Sequence, residues 1–260
     1  MTDTDKRVVL ITGASSGIGK SVAKKLIHED FTVYALSRRV EKMQDLESMG
    51  VYLLSIDVSD DNAVEAAISR VVSQESKIDV LFNNAGYGVF GTVENVPIDE
   101  IKRQFEVNLF GMARLIKAVL PHMRSRKKGL VINNASSLGH ISIAGLGWYA
   151  ATKHAVEAMS DALRMEVKDI GIDVVILEPG AVKTGFDTIA MENFEKFHYP
   201  NEYQKVLNGF RKYMTHLYNN CEDEENTARK VVGIIKSSHH KARYATTWDA
   251  RVMINLRKFM

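Results

Sequence analysis

Arg7-Val8-Val9-Leu10-Ile11-Thr12-Gly13-Ala14-Ser15-Ser16-Gly17-Ile18-Gly19 runs from an apolar, β-branched stretch into a glycine-rich turn and then a helical pattern. Residues 7–11 read as a buried strand, and residues 17–29 as a helix. Glycines at 13, 17 and 19 permit a tight turn and close backbone approach. A helix starting there points free amides and the positive end of its dipole at whatever lies over the turn, which suits a pyrophosphate. The candidate contacts are Gly13, Ser15, Ser16, Gly17, Ile18 and Gly19. The spacing differs from the commoner Gly-x-Gly-x-x-Gly, and a purely structural strand–helix turn would use the same residues.

The alternation repeats outward from this turn. Further strands are predicted over 32–36, 52–56, 80–82, 130–133 and 173–177, with a weaker one over 242–246. Helices are predicted over 41–50, 62–75, 99–123 and 148–170. The strand candidates are apolar throughout, as in a parallel sheet covered on both faces. The chain therefore reads as α/β: a doubly wound, Rossmann-type, mostly parallel sheet with helices on both faces and ligands beyond the carboxyl ends of its strands. The rhythm breaks over 183–220, which carries Phe186, Phe194, Phe197, Tyr199, Tyr203, Phe210, Tyr213 and Tyr218. Residues 1–260 read as one domain, with 183–220 a helical insertion.

Composition narrows the setting. Of 260 residues, 45% are hydrophobic and 25% charged, ordinary for a soluble globular chain long enough to bury a core. A net charge of +2 gives no reason to expect nucleic acid as a partner. The basic runs at 124–128 and 236–243 read as solvated helix ends and loops. The lone Cys221 cannot form an internal disulfide, which suits a reducing compartment. No long apolar run is present, and Met1-Thr2-Asp3-Thr4-Asp5 is too acidic for a signal or transit peptide. The expectation is a cytoplasmic protein with no membrane segment and no metal ligands.

The strand ends carry the next candidates. Ser37 stands eighteen residues after Gly19, where an NAD-preferring site would carry an acid for the ribose 2′-hydroxyl, and Arg38 and Arg39 follow. With no carboxylate to repel a phosphate and a guanidinium to pair with it, NADP(H) is favoured over NAD(H). Arg39 equally fits a solvated cap on the next helix. Asp57-Val58 places a carboxylate where an adenine amino group could donate, although Asp57 also fits a simple turn. Asn84, Ala85 and Gly86 offer small residues and amides beside an adenine ribose, and they too fit a turn.

Tyr149 and Lys153 lie four apart, so on a helix phenol and ammonium share a face. The ammonium would favour the phenolate and bring a group of ordinary pKa ~10 nearer neutrality. Such pairs also occur on solvated helix faces; the glycine turn and an upstream serine give this one its meaning. Together these residues resemble the short-chain dehydrogenase/reductase family in its compact single-domain branch, with motifs in order from Thr12 to Thr184. The resemblance implies a catalytic set of Ser136, Tyr149 and Lys153, with Asn108 as an additional helix-borne asparagine. Gly139 selects Ser136 over Ser137, because the family's serine lies three before that glycine and thirteen before the tyrosine. Asn134 departs from the family's usual isoleucine.

The resemblance further implies that Tyr149 exchanges the proton of a carbonyl or hydroxyl oxygen and that Ser136 orients that oxygen. Lys153 lowers the tyrosine pKa and holds the nicotinamide ribose, and Asn108 keeps a water near Lys153. Without the family, Asn108 reads as a solvent-facing helix residue. Pro179 and Gly180 shape a wall behind the nicotinamide, with the Val182 backbone and Thr184 on its carboxamide. Family members pair as dimers or tetramers through helices equivalent to 99–123 and 148–170. Along the second, Ala155, Val156, Met159 and Leu163 form a stripe that burial against the sheet also explains. The segment 183–220 is expected to form a substrate lid whose aromatics line an apolar pocket or pack among themselves, with Ile141, Ile143, Leu146 and the Tyr87-to-Phe90 stretch nearby. The expected function is hydride transfer between NADP(H) and an apolar ketone, aldehyde or secondary alcohol. The rival from another class is a redox-sensing protein that binds the cofactor without turnover, and a sugar-nucleotide epimerase or dehydratase is the rival within the class.

Overall fold

In the computed structural model, which describes residues 6–257, successive strand residues feed two different cores. The strands are β1 (Arg7–Thr12), β2 (Phe31–Ser37), β3 (Tyr52–Ser55), β4 (Val80–Asn83), β5 (Gly129–Asn134), β6 (Ile172–Glu178), β7 (Val182–Lys183), β8 (Glu222–Asp223) and β9 (Arg243–Ala245). The helices are α1 (Gly17–Ile27), α2 (Gln44–Ser48), α3 (Asp61–Glu75), α4 (Ile98–Phe105), α5 (Gly111–Ser125), α6 (Gly147–Val167), α7 (Phe186–Lys196), α8 (Gln204–Asn219), α9 (Glu224–Lys236) and α10 (Trp248–Arg257). Val8 and Leu10 join one core with residues of α3, α5 and α6. Val9 and Ile11 join the other with residues of α1 and α9. This alternation is the period-two geometry of a strand covered on both sides. Each fully buried aliphatic side chain contributes about 1.5–3 kcal/mol.

Seven strands form one parallel sheet in the order β3-β2-β1-β4-β5-β6-β9. The winding reverses between β1 and β4, so their carboxyl ends open a crevice. The weakly patterned strand over 242–246 is real: β9 pairs with Ile176–Glu178 of β6. A separate ribbon joins β7 to β8, closing the ends of the aromatic segment.

Some predicted boundaries move. The helix over 99–123 is two helices, α4 and α5, joined by a π-helical turn at Glu106–Phe110. Asn108 lies in that turn and is 1% exposed, so it does not face solvent. The helix over 41–50 shrinks to a 3-10 turn and α2, because Met43 turns into the core with φ −115°. Helix α9 goes unrecognised in the sequence although Asp223 caps it, accepting from Asn226 N at 3.2 Å. The stripe on α6 goes mainly to the protein's own sheet: Val156 and Leu163 are buried, and Met159 packs beside them. The acidic start, residues 1–5, lies outside the described residues. No described helix is long and apolar enough to cross a membrane.

A buried polar chain seats α6 on the sheet. Asn83 Nδ2 donates to Asn133 Oδ1 at 2.9 Å, and Asn133 Nδ2 donates to Ser160 Oγ at 2.9 Å. Paired, these groups are cheap to bury; unpaired, each costs about 1–3 kcal/mol. Asn133→Ala strands both neighbours and is expected to lower unfolding free energy by about 2–4 kcal/mol, measured by urea denaturation.

Candidate active site

The glycine turn and the end of β4 are stitched together by one threonine. Thr12 Oγ1 accepts from Asn84 N at 2.9 Å and from Ala85 N at 3.0 Å. Asn84 Nδ2 returns the link to Thr12 O at 3.1 Å. Gly13 has φ +66°, and a Cβ there would lie 2.9 Å from Ala85 Cα. Gly17, at φ +54°, stands against Thr184, whose Cβ an added methyl would meet at 2.8 Å. Ser16 is the extended N-cap of α1 and makes no side-chain capping bond, so the first-turn amides are free for an anion.

A cavity of about 450 Å³ runs from this turn to the aromatic segment. Every residue expected in the site lines it except Gly19 and Asn108. Gly19 instead lets α1 pack close, since a Cβ there would sit 2.6 Å from Asn84 Nδ2. Asn108 lies behind the wall, where Oδ1 accepts from Tyr87 N at 2.7 Å and Nδ2 donates to Tyr87 O at 2.9 Å and Thr152 Oγ1 at 3.2 Å.

At the β2 end, Arg39 Nη2 donates to Ser15 Oγ at 3.1 Å, and Arg38 faces Asp57 at 3.6 Å. Burial works against the Asp57 carboxylate. Hydrogen bonds from Ser59, with Arg38 beyond, outweigh it and hold the group below the usual carboxylate range. Arg39 and Lys42 also line the cavity, so the guanidinium that fits a solvated cap in sequence terms belongs to the site. An uncapped helix start, two hydroxyls and three cations at one end fit a phosphorylated dinucleotide. At the other end, Asn134 lines the cavity, and its Oδ1 is buried without a hydrogen-bond partner.

The β5 end carries Ser136, whose hydroxyl donates to Pro179 O at 3.3 Å and accepts from Leu138 N at 3.2 Å. Lys153 is 4% exposed, and its Nζ donates to Asn134 O at 2.8 Å and lies 5.6 Å from the Tyr149 ring centroid. Burial lowers the Lys153 ammonium to about 8, opposed by the charge of Glu157. The phenol of Tyr149 moves opposite to the direction expected from its pairing with the lysine. Burial drives it above its ordinary range, and a hydrogen bond with Ser136 only partly offsets this. Desolvation of the phenolate is the larger effect there.

Of the eight aromatics, Phe186, Tyr213 and Tyr218 line the cavity, while the other five pack in a core shared with Phe90 and Leu146. Phe90 and Phe186 flank Tyr149 with ring centroids at 6.1 and 5.6 Å. Residues after β9 also belong to the site. Thr247 Oγ1 accepts from Gly180 N at 2.9 Å, Asp249 Oδ2 accepts from Ala181 N at 3.0 Å, and Met253 lines the cavity. Nothing local in the sequence marks them. Behind Lys153, His140, Glu157 and Glu178 bring three potential ligand atoms within 4.8 Å of one another, beside Arg243. The only sequence signal was a glutamate one turn after Lys153 and another before Pro179.

Comparison with known proteins agrees with this architecture. A family model described as short chain dehydrogenase matches residues 7–193. VdlC of Helicobacter pylori, a probable short-chain type dehydrogenase/reductase, is 36% identical over 96% of this chain and 91% of its own. A 3-ketodihydrosphingosine reductase of Bacteroides thetaiotaomicron is 40% identical over 69% of this chain and 65% of its own. An NADPH-dependent 3-dehydrocapnine reductase of Ornithobacterium rhinotracheale is 36% identical over 68% and 66%. Among solved structures, a short-chain dehydrogenase from Streptomyces avermitilis superposes with TM-score 0.87 at 30% identity, covering 98% of this chain and 93% of that one.

Gly17→Ala forces a side chain into a left-handed backbone conformation and against Thr184. It is expected to cost about 1–2 kcal/mol of stability, read as a lower midpoint in thermal unfolding.

Proposed function

The chain belongs to the short-chain dehydrogenase/reductase family of oxidoreductases; from that premise we propose that it moves a hydride between NADP(H) and an apolar ketone, aldehyde or secondary alcohol. The observation that carries this reading is the continuous cavity with the glycine turn at one end and Ser136, Tyr149 and Lys153 at the other. Gly13, Ser15, Ser16, Gly17 and Ile18 would hold the pyrophosphate, and Asp57, Val58, Asn84, Ala85 and Gly86 the adenosine half. Pro179, Gly180, Val182 and Thr184 would wall the nicotinamide. When bound, NADP(H) supplies or accepts the hydride.

The chain's own groups handle the proton. Tyr149, kept protonated by burial, hands its proton to the carbonyl oxygen in reduction and removes it from the alcohol in oxidation. Ser136 hydrogen-bonds the same oxygen and orients it. Lys153, as the ammonium, stabilises the phenolate left behind and holds a ribose hydroxyl. Asn108 sets the π turn, where the widened helix loosens its own hydrogen-bond ladder and leaves backbone available to a water near Lys153.

NADP(H) is supported by Arg38, Arg39 and Lys42 at the β2 end, with Ser37 in place of an acid, and one relative above is NADPH-dependent by name. Residues 183–220 serve as a lid within a single domain. Its Phe186, Tyr213 and Tyr218, with Ile143 and Leu146 opposite, make the substrate end apolar. Two relatives named for 3-keto and 3-dehydro compounds support a ketone. We read the protein as cytoplasmic and as a dimer or tetramer through α4, α5 and α6. Ile98, 61% exposed, Phe110 in the π turn, 50% exposed, and Met165, 70% exposed, are apolar groups there that an interface would cover. Light scattering at micromolar concentration is expected to give twice or four times the chain mass; a single-chain mass refutes it.

Tyr149→Phe removes one hydroxyl and keeps the ring. Turnover is expected to vanish with NADPH affinity nearly unchanged, in an assay of NADPH absorbance across a carbonyl panel. Residual activity within tenfold of the parent overturns the acid/base role.

Ser37→Asp with Arg38→Leu is expected to reverse cofactor preference, since a charge-assisted pair with the 2′-phosphate is worth ~1.5–3 kcal/mol, or roughly tenfold to a hundredfold in affinity. Dissociation constants for NADPH and NADH decide it, and parent values within about twofold of each other defeat the NADP(H) assignment.

A further inference from the structure

Glu157 follows Lys153 by four residues on α6, so the two side chains share a helix face one turn apart. Both are almost wholly buried, at 6% and 4% exposure. Glu157 Oε2 takes a hydrogen bond from Arg243 Nε at 3.1 Å. Its Oε1 is buried with no hydrogen-bond partner, 3.9 Å from His140 Nε2. Glu178, 3% exposed, pairs with His140 Nε2 at 2.7 Å and lies 3.3 Å from Arg243 Nε. Arg243 also binds Asp161, which Arg164 reaches at 3.1 Å. From α10, Arg257 Nε donates to the His140 carbonyl at 3.1 Å.

Glu157, Glu178 and Asp161 are three acids, faced by the guanidiniums of Arg243 and Arg164 and by the His140 ring. Lys153 lies one turn before Glu157; its Nζ donates to the Asn134 carbonyl and sits 5.6 Å from the Tyr149 ring centroid. A buried ammonium tends to lose its proton. A buried carboxylate one turn away opposes that loss.

We propose that Glu157 is a positioning residue acting through Lys153: its carboxylate, anchored by Arg243 at one oxygen and without a hydrogen-bond partner at the other, keeps Lys153 charged and in place. The proposal rests on the role given to Lys153 above. The same carboxylate carries the serine turn, because a Cβ on Gly139 would lie 2.8 Å from Glu157 Cγ. Glycine at 139 therefore lets the Ser136 turn settle directly on the residue that governs the lysine. Burial, and then the charge of Glu178, push Glu157 itself above the usual carboxylate range, while His140 and Arg243 hold it down.

The test is the titration of Lys153 in the full-length protein, followed by NMR of ¹³C-lysine and assigned by the resonance lost in Lys153→Arg. Glu157→Gln is expected to lower the midpoint by roughly half a unit to one unit, as removal of a nearby opposite charge does. The alkaline limb of carbonyl reduction by NADPH should move the same way. Asp161→Asn removes an acid of the same group two turns from Lys153 and should shift the midpoint by less than half as much. An unmoved midpoint in Glu157→Gln overturns the proposal, and so does an equal fall in the Asp161 variant. Should Glu157→Gln fail to fold, Glu157→Asp keeps the charge but withdraws it, and a smaller fall supports the proposal while no change or a rise overturns it. The titration needs neither cofactor nor substrate, so absent turnover would count against the enzymatic reading and leave this one to be judged on its own result.

Discussion

The hydrogen bonds at Thr12 are the constraint on which the site depends. Its hydroxyl accepts from two successive amides at the end of β4, and Asn84 answers onto the Thr12 carbonyl. These contacts join strands that are neighbours in the sheet but separated by two further strands in the chain. Their ends form the crevice where the winding reverses, the place at which a parallel sheet has backbone groups to spare. Asn134 Nδ2 extends the chain to β5 by donating to Asn84 Oδ1 at 3.0 Å. The turn that would take phosphate and the strand that bears Ser136 are thus coupled through three side chains.

A second polar chain, from Asn83 through Asn133 to Ser160, lies one residue back along the same strand ends. The two chains divide the labour. The Asn84–Asn134 chain borders the cavity, and the Asn83–Asn133 chain seats α6, hence Tyr149 and Lys153, on the sheet. The family's usual isoleucine at 134 could fill space there but could not continue the first chain.

Burial sets the electrostatics more strongly than pairing does. It raises Tyr149 and lowers Lys153, so both lean toward their neutral forms. In the proposed reaction the neutral tyrosine would be the proton donor, and the lysine would need its charge, which Glu157 favours. The burial that keeps one group neutral must be countered wherever a charge has to persist.

The sequence by itself determined the local elements whose causes are local. Apolar runs gave strands, Gly13 and Gly17 marked turns with positive φ, and the four-residue spacing placed Tyr149 and Lys153 on one helix face. Even the weak strand near 243 was legible, because its short β-branched and aromatic character is local too. The π turn at Asn108 was not: there a buried amide hydrogen-bonds the backbone of Tyr87, and no pattern within residues 99–123 encodes that partner. Arg39 as a site residue, Asp249 behind the wall, and the group of Glu157, Glu178 and Arg243 were likewise invisible. Each depends on a contact between residues far apart in the chain, and the reversed lysine–tyrosine balance depends on how much water the finished fold excludes. Periodicity and glycine placement report short-range sterics, whereas the charge state of a site is a property of the volume around it, which only the assembled structure defines.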